Sequence, residues 1–443
     1  MGDAWLTQSA ADLGRGIGAG KIDPVALTEA FLGAIETHSS ANRIYARTTP
    51  TRAINEALAA RARAATGNRL GPLDGVPVSW KDLFDTAGTA TEAGSALLQG
   101  RVPRRDARVL RHASAAGLVC LGKTHMSELA FSGLGLNPIT ASPPCVNDPA
   151  AVSGGSSSGA AASVAFNLAP VAVGSDTGGS VRIPSAWNDL VGLKTTSGRL
   201  SLAGTVPLCE SFDTVGPMAR TVEDAALMLG ALEGTKAPDL RGASLRGARF
   251  LVCRSVAMQD LRAAPRDGFE SAVVRLQNAG ALVDRREIPV VADAMDLSAI
   301  LFTTEAYATW RDTIEAAPDK MYPEILARFR SGADHKGADF VAAWQKLRRL
   351  RREFGRATAG YDAVILPTAP ILPPNHDRLL SDHDYYITEN LLALRNTRIG
   401  NLMGGAALTL PTGVPSTGIM FLTPPHSEER LLRLGAAAER ALA

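Results

Sequence analysis

The chain predicts an α/β/α protein, and three observations carry that prediction. Short apolar runs alternate with helical patterns from about residue 70 to 225, the mark of α/β layering. The 443 residues, 46% of them hydrophobic, suffice for a large buried core. No internal repeat, low-complexity linker or break in composition divides them. The economical organisation is one domain, 1–443, with N-terminal helices over about 1–65, a core over about 70–225 and a helical insertion over about 292–358.

The elements follow in order. Asp23-Pro24 marks a helix start, and Leu27, Ala30, Phe31, Ala34 and Ile35 then recur at helical spacing. A second helix is expected over 51–65, with Ile54, Leu58 and Ala62 along its apolar stripe. Turn chemistry over 68–75 leads into a short apolar strand, 76–80. Further strands are expected at 118–122 and 171–174, and helices at 106–116 and 158–167. Two more strands, 250–253 and 281–283, flank a helix near 268–279. Residues 292–358 are helical in pattern, 361–367 returns to a strand, and 428–442 closes the chain as a helix.

Composition excludes several functions. Lys and Arg number 46 against 44 Asp and Glu, a formal charge of +2, so neither nucleic acid nor an anionic membrane is expected as the main partner. The densest basic run, Arg348, Arg349, Arg351 and Arg352, reads as a solvated helix face. The four cysteines, Cys120, Cys145, Cys209 and Cys253, form no CxxC pair, which argues against a disulfide framework or zinc site. Cys120, within 118–121, reads as a core residue. Residues 1–21 lack a continuous apolar segment, and no run of 18 or more apolar residues follows. A cytoplasmic protein without signal peptide or membrane span is the expectation.

The informative stretch is 153–197. It opens Ser153-Gly154-Gly155-Ser156-Ser157-Ser158-Gly159, enters an Ala-rich helix, and continues as strand 171–174 into Ser175-Asp176-Thr177-Gly178-Gly179-Ser180-Val181-Arg182-Ile183-Pro184. A Gly/Ser run alone reads as a flexible surface loop. Here apolar elements flank it tightly, and Asp-Thr-Gly-Gly-Ser follows directly from a strand. Successive glycines let backbone N–H groups converge into an anion-binding nest, and a nest beside a serine hydroxyl is what acyl transfer requires.

Such a serine needs a base. None of the seven histidines sits in a recognisable motif nearby, and His125, which follows a strand, reads better as structural. Lys81 ends the apolar run 76–80, with Asp82 next. Most lysines are solvated, but at the end of a buried strand desolvation disfavours the charged form and can make the amine a base.

Taken together, these segments resemble the amidase signature family, the Ser–Ser–Lys amide hydrolases. Gly75-Val76-Pro77 leading to Lys81-Asp82 is similar to the family's lysine motif, Gly154-Gly155-Ser156-Ser157 to its cis-serine motif, and Asp176-Thr177-Gly178-Gly179-Ser180 with Arg182 and Pro184 to its nucleophile motif. Lys123-Thr124-His125-Met126 with Glu128, Gly192-Leu193-Lys194-Thr195, Asp213-Thr214-Val215-Gly216-Pro217-Met218 and Pro411-Thr412-Gly413 also fit, so the resemblance runs from about residue 5 to the end.

The resemblance implies a central mixed β-sheet covered on both faces by α-helices. It also implies roles. Ser180 is the nucleophile; Ser156, through an unusual cis peptide bond, takes its proton; neutral Lys81 takes the proton from Ser156. Backbone amides of Thr177, Gly178, Gly179 and Ser180 stabilise the oxyanion, and water resolves the acyl-enzyme. Ser157, Asp176 and Arg182 support the loop, although a purely structural ion pair accounts equally well for Asp176 and Arg182. The implied substrate is a small-molecule amide, or a related carbamate or urea-type compound, cleaved to acid plus ammonia or amine without cofactor or metal. Two features depart from the pattern: Ser158-Gly159 stands where many members have two glycines, and the chain is short for the family, which implies trimmed loops at the substrate entrance.

Competing readings exist. Gly155-Ser156-Ser157-Ser158-Gly159 satisfies the G-x-S-x-G nucleophile-elbow pattern on Ser157, but that motif requires a preceding strand and 143–153 contains Pro143, Pro144 and Pro149. The amidase-like subunit of a glutamine-dependent tRNA amidotransferase is an alternative within the family, disfavoured by near-neutral charge and short length. A catalytically inactive binding protein is a third, disfavoured by retention of Lys81, Ser156 and Ser180. Asp382-His383-Asp384 reads as a polar loop rather than a metal cluster. Trp80, Met126, Leu208, Trp310 and Met403 are candidates for an apolar pocket and equally for the core. No pattern encodes the oligomeric state; a homodimer is compatible with the sequence.

Overall fold

In the computed structural model, which describes residues 3–443, short apolar runs fold into strands. These are β1 (Tyr45–Thr48), β2 (Pro77–Lys81), β3 (Val119–Thr124), β4 (Val171–Ser175), β5 (Val191–Lys194), β6 (Val215–Ala219), β7 (Arg249–Cys253), β8 (Leu282–Arg286), β9 (Ala363–Pro367), β10 (Ala406–Pro411) and β11 (Gly418–Thr423). They form one eleven-stranded mixed sheet in the order β1-β3-β2-β4-β6-β5-β10-β11-β9-β7-β8. Parallel blocks β3-β2-β4 and β9-β7-β8 are joined by the antiparallel strands β6, β5, β10 and β11. β2 to β6 are buried at every position, as strands covered on both faces must be. The two edge strands are less buried: β1 is exposed at its end, and β8 has Asp284, Arg285 and Arg286 presenting charge towards solvent, which discourages pairing with another chain.

The expected helix start at Asp23 is realised, its carboxylate accepting from the Val25 N–H to cap the helix Pro24–Thr37. That helix buries Leu27, Phe31 and Ile35. The next helix, Pro50–Ala65, departs from the expected stripe. Ala53, Ala57 and Ala60 are its buried residues, while Leu58 and Ala62 are not. Ala53 and Ala57 pack on Val25 and Val119, and at such close approach small side chains fit better than Ile or Leu.

The segment expected to be helical over 292–358 folds as Val290–Met295, Ser298–Ala316, Pro323–Arg330 and Gly337–Thr358. Arg348, Arg349 and Arg352 are exposed as expected, but Arg351 is half-buried and donates to the Leu402 carbonyl at 2.6 Å. The expected polar loop at 382–384 is instead a helix start. Asp382 caps His383–Met403 by accepting from the Tyr385 N–H at 3.0 Å. Among the described residues no helix is long and apolar enough to cross a membrane, and all four cysteines are free and buried.

Ser158–Ala165 is the helix that follows the serine-rich run, and its first turn lies against the chain entering β1 and the chain leaving β3. Gly159 makes this possible. A Cβ there would lie 2.4 Å from the Ile44 carbonyl oxygen and 2.7 Å from the His125 nitrogen, both backbone atoms. Gly159→Ala is therefore expected to destabilise the fold by about 1–3 kcal/mol, the usual cost of overpacking. A lowered urea or thermal unfolding midpoint checks it; an unchanged midpoint contradicts it.

Candidate active site

β2 and β4 run parallel, with Trp80 paired to Val173. Lys81 and Ser175 consequently end at the same carboxyl edge, where α/β sheets place their binding sites. Lys81 is fully buried. Its Nζ lies 2.7 Å from Ser156 Oγ and 2.8 Å from Ser175 Oγ. Burial pushes its pKa down to about 7, although the negative charges of Asp213 and Asp176 offset part of that fall. Near neutral pH much of the population therefore carries a free amine. Lys123 and Lys194 are buried too, and both are likewise pulled down by burial. Lys123 faces Asp82 at 3.2 Å, and Lys194 donates to the carbonyls of Thr195 and Gly405. Neither serves a serine.

The serine-rich run is a buried, pinned loop rather than a flexible one. The Gly155–Ser156 peptide is cis. Gly155 N–H donates to the Gly133 carbonyl at 2.8 Å, and the Ser156 carbonyl accepts from Ser127 N–H at 3.2 Å. Ser157 Oγ donates to the Ser175 carbonyl at 3.1 Å while its own N–H donates to the Ser180 carbonyl at 3.2 Å. Ser157 thus ties the loop to β4 and to the next loop, and no strand precedes it as a nucleophile elbow would need.

The loop after β4 is held by a buried ion pair. Arg182 Nη2 lies 2.9 Å from Asp176 Oδ1 and Nε lies 3.0 Å from Oδ2, with both side chains fully buried. Arg182 also donates to the Thr397 carbonyl and to Asn401 Oδ1, each at 2.7 Å. Burial alone would raise the Asp176 pKa, but the Arg182 guanidinium holds it well below the usual carboxylate range. The same carboxylate accepts from the N–H groups of Gly179 at 2.9 Å and Val181 at 3.1 Å. The pair therefore both neutralises a buried charge and shapes the loop. Gly179 adopts φ +140°, and a Cβ on it would fall 2.1 Å from Thr397 Oγ1. A second clamp comes from the segment before β6. Thr177 Oγ1 donates to Asp213 Oδ1, and Asp176 and Thr214 exchange backbone hydrogen bonds at 2.8 and 3.1 Å.

These clamps leave the N–H groups of Thr177, Gly178 and Ser180 without an acceptor among the described residues. Gly179, expected beside them, already spends its N–H on Asp176. Thr177, Gly178 and Ser180 all line one cavity of about 460 Å³. Of the apolar pocket candidates only Leu208 lines it; Trp80 and Met126 are core, Met403 is buried elsewhere, and Trp310 donates to the Pro207 carbonyl. His125 contacts the serine-rich run through its backbone. Sequence reasoning missed Ser175, although it directly precedes Asp176. It also missed Thr397 and Asn401, which lie more than 200 residues away with no local signal. Among the described residues no group of His, Cys, Asp and Glu side chains is placed to hold a metal.

Comparison with known proteins places most of the chain among relatives of one family. The Amidase family profile matches residues 26–432. The chain is 35% identical over 402 residues to 2-amino-5-chloromuconic acid deaminase of Comamonas testosteroni, covering 86% of each protein. It is 32% identical to one of the subunits of the glutamyl-tRNA(Gln) amidotransferase of Acidothermus cellulolyticus, covering 98% of this chain and 94% of that one. It superposes on the native peptide amidase of Stenotrophomonas maltophilia with a TM-score of 0.81 at 29% identity, over 98% of this chain and 97% of the other. A further amidase crystal structure gives a TM-score of 0.87 at 28% identity, over 98% and 100%. The chain belongs to the amidase signature family.

Proposed function

We propose that the chain hydrolyses a carboxylic amide, or a related carbamate or urea-type C–N bond, with Ser180 as nucleophile and Ser156 and Lys81 as its proton relay. The observation that carries this reading is a buried Lys81 amine with a pKa near 7, 2.7 Å from Ser156 Oγ. A free amine has one lone pair and two N–H bonds. It can donate to Ser175 Oγ and accept from Ser156 Oγ, which frees Ser156 to accept from Ser180.

Ser180 Oγ attacks the carbonyl carbon as its proton passes to Ser156 and the Ser156 proton passes to Lys81. The negative charge on the carbonyl oxygen meets the free N–H groups of Thr177, Gly178 and Ser180, three donors where four were expected. Collapse breaks the C–N bond, and the relay returns the proton to the departing nitrogen, which leaves as ammonia or an amine. Water then adds to the acyl-enzyme, its proton following the same relay, and breaks the bond to Ser180 Oγ to give the acid. The balance is amide plus water to acid plus amine. The deaminase relative favours release of ammonia. A second reading, one component of an amidotransferase assembly, is favoured by the 98% coverage of this chain in that alignment. Ammonia release by the chain alone supports the first reading; release only after the partner components are added supports the second.

Ser180→Ala is expected to lower kcat by at least about 10³-fold, and Lys81→Met by about 10²–10⁴-fold, with circular dichroism unchanged. Ammonia or amine release from a panel of amides, anilides and carbamates reads this out, and undiminished turnover in Ser180→Ala rules out the assigned nucleophile.

The pH profile has a fixed sign. Lys81 must be unprotonated to accept, and its pKa is lowered to about 7, so kcat/KM should climb through pH 7 and fall by about tenfold per unit below it. A profile flat between pH 5 and 8 contradicts the role of Lys81.

A further inference from the structure

The cavity beside Ser180 is walled largely by carbon, from Phe131, Phe302, Leu391 and Leu394, yet Arg328 and Arg398 also line it. Neither guanidinium forms an ion pair or a side-chain hydrogen bond among the described residues. Arg328 Nη1 is buried without a partner, and so is the hydroxyl of Tyr386 in the same lining. The acid in that lining, Glu324, is paired to His383 Nδ1 at 2.6 Å. Arg328 sits over the Phe131 ring, 4.5 Å from its centroid, and Arg398 lies 5.9 Å from that of Phe302. Ring faces hold a cation in place without neutralising it.

Burial lowers the pKa of both groups, and burial together with the positive charge of Arg328 brings Arg398 down to about 9. Both arginines are half-buried, and unpaired charge kept partly from water is costly, the more so for two like charges in one apolar cavity. A ligand that brings a negative charge removes that cost. The guanidinium fork matches a carboxylate in geometry, and a buried tyrosine hydroxyl adds a further donor.

We propose that the substrate is an amide that also carries a carboxylate, which Arg328, Arg398 and the Tyr386 hydroxyl bind within the cavity while its amide carbonyl meets Ser180. This rests on the amide-hydrolase reading above. It makes Arg328 and Arg398 specificity residues, which select for a charged acyl chain and against a neutral amide of the same length.

Protection of Ser180 from a fluorophosphonate probe tests the proposal without knowledge of the natural substrate. Succinate, glutarate and adipate are titrated against their dimethyl esters, with inorganic phosphate as a further anion, on the full-length chain. At least one dicarboxylate should protect at tenfold or more lower concentration than its ester. Arg328→Met and Arg398→Met should each lose that preference by tenfold or more, and Arg398→Lys should keep part of it. Probe labelling in the absence of ligand shows that each variant keeps its site, and either Met variant suffices if the other does not fold. Equal protection by acid and ester, or protection by phosphate alone, overturns the carboxylate assignment and leaves the hydrolase reading standing. Failure of the wild type to label at Ser180, with the fold intact, overturns the hydrolase reading and the proposal that rests on it.

Discussion

A buried amine whose positive charge is disfavoured is the constraint on which the rest of this site depends. Lys81 is fully buried and hydrogen-bonded to nothing but hydroxyls. Water excluded from its surroundings favours the neutral form, and any nearby negative charge opposes that preference. Two carboxylates, Asp213 and Asp176, do oppose it. Both are restrained. Asp176 is paired with Arg182, so the field at Lys81 is that of an ion pair rather than a bare anion. Asp213 accepts from Thr177 Oγ1 and from the N–H groups of Leu208 and Cys209, and burial raises its pKa, so its charge is the less firmly held. The loop that carries Ser180 and the electrostatics that keep Lys81 basic are therefore set by the same side chains.

The helix His383–Met403 is the second structural requirement. It runs beside the site rather than through the sheet, and several of its polar residues point inward. Asn390 Oδ1 accepts from Gly133 N–H at 2.9 Å, and Gly133 in turn accepts from Gly155. Thr397 Oγ1 donates to the Gly178 carbonyl at 2.7 Å, and Asn401 Nδ2 to Asp176 Oδ1 at 3.0 Å. Asn396 donates to the Ala257 and Pro367 carbonyls, which fixes the helix to the β9 side of the sheet. One helix thus holds both serine loops at a set distance. Buried amides of this kind are expensive when left unpaired, and Asn390, Asn396 and Asn401 each have partners.

What the sequence made legible divides along physical lines. Lys81, Ser156 and Ser180 lie in segments where apolar runs, glycines and serines leave a dense local pattern. Strands β2, β3, β4, β7, β8 and β9 followed from the same alternation, whereas the edge strand β1 and the antiparallel strands β6, β5, β10 and β11 did not. The long-range partners left no such trace, because Thr397, Asn401, Arg328 and Arg398 sit on ordinary helical surface patterns whose burial depends on tertiary packing. The Pro50–Ala65 helix shows the same limit: hydrophobicity selected Ile54, Leu58 and Ala62, while the available space selected Ala53, Ala57 and Ala60. At Asp382 a cluster of polar residues looked like a loop because capping residues and loop residues share their chemistry. That the Gly179 N–H is taken by Asp176 was not legible for a related reason, since a glycine run shows that amides converge but not which one a neighbouring carboxylate consumes.

On the proposed reading, the distribution of these parts separates reaction from recognition. The groups that meet at Lys81 come from the strands β2 and β4 and from the serine loops packed on them, where backbone geometry allows little variation. The rest of the cavity wall comes largely from helices: Phe302 and Arg328 from the insertion helices, Arg398 and Leu394 from the helix His383–Met403. A helix can exchange a lining side chain without disturbing its own hydrogen bonds, whereas a strand-end loop clamped by a buried ion pair cannot. Charge in this cavity can therefore be retuned while the contact between Lys81 and Ser156 stays fixed. The two unpaired guanidiniums are the feature of this chain that such freedom permits. A further cation beside Asp176 would compete with Arg182 for the carboxylate that shapes the loop carrying Ser180.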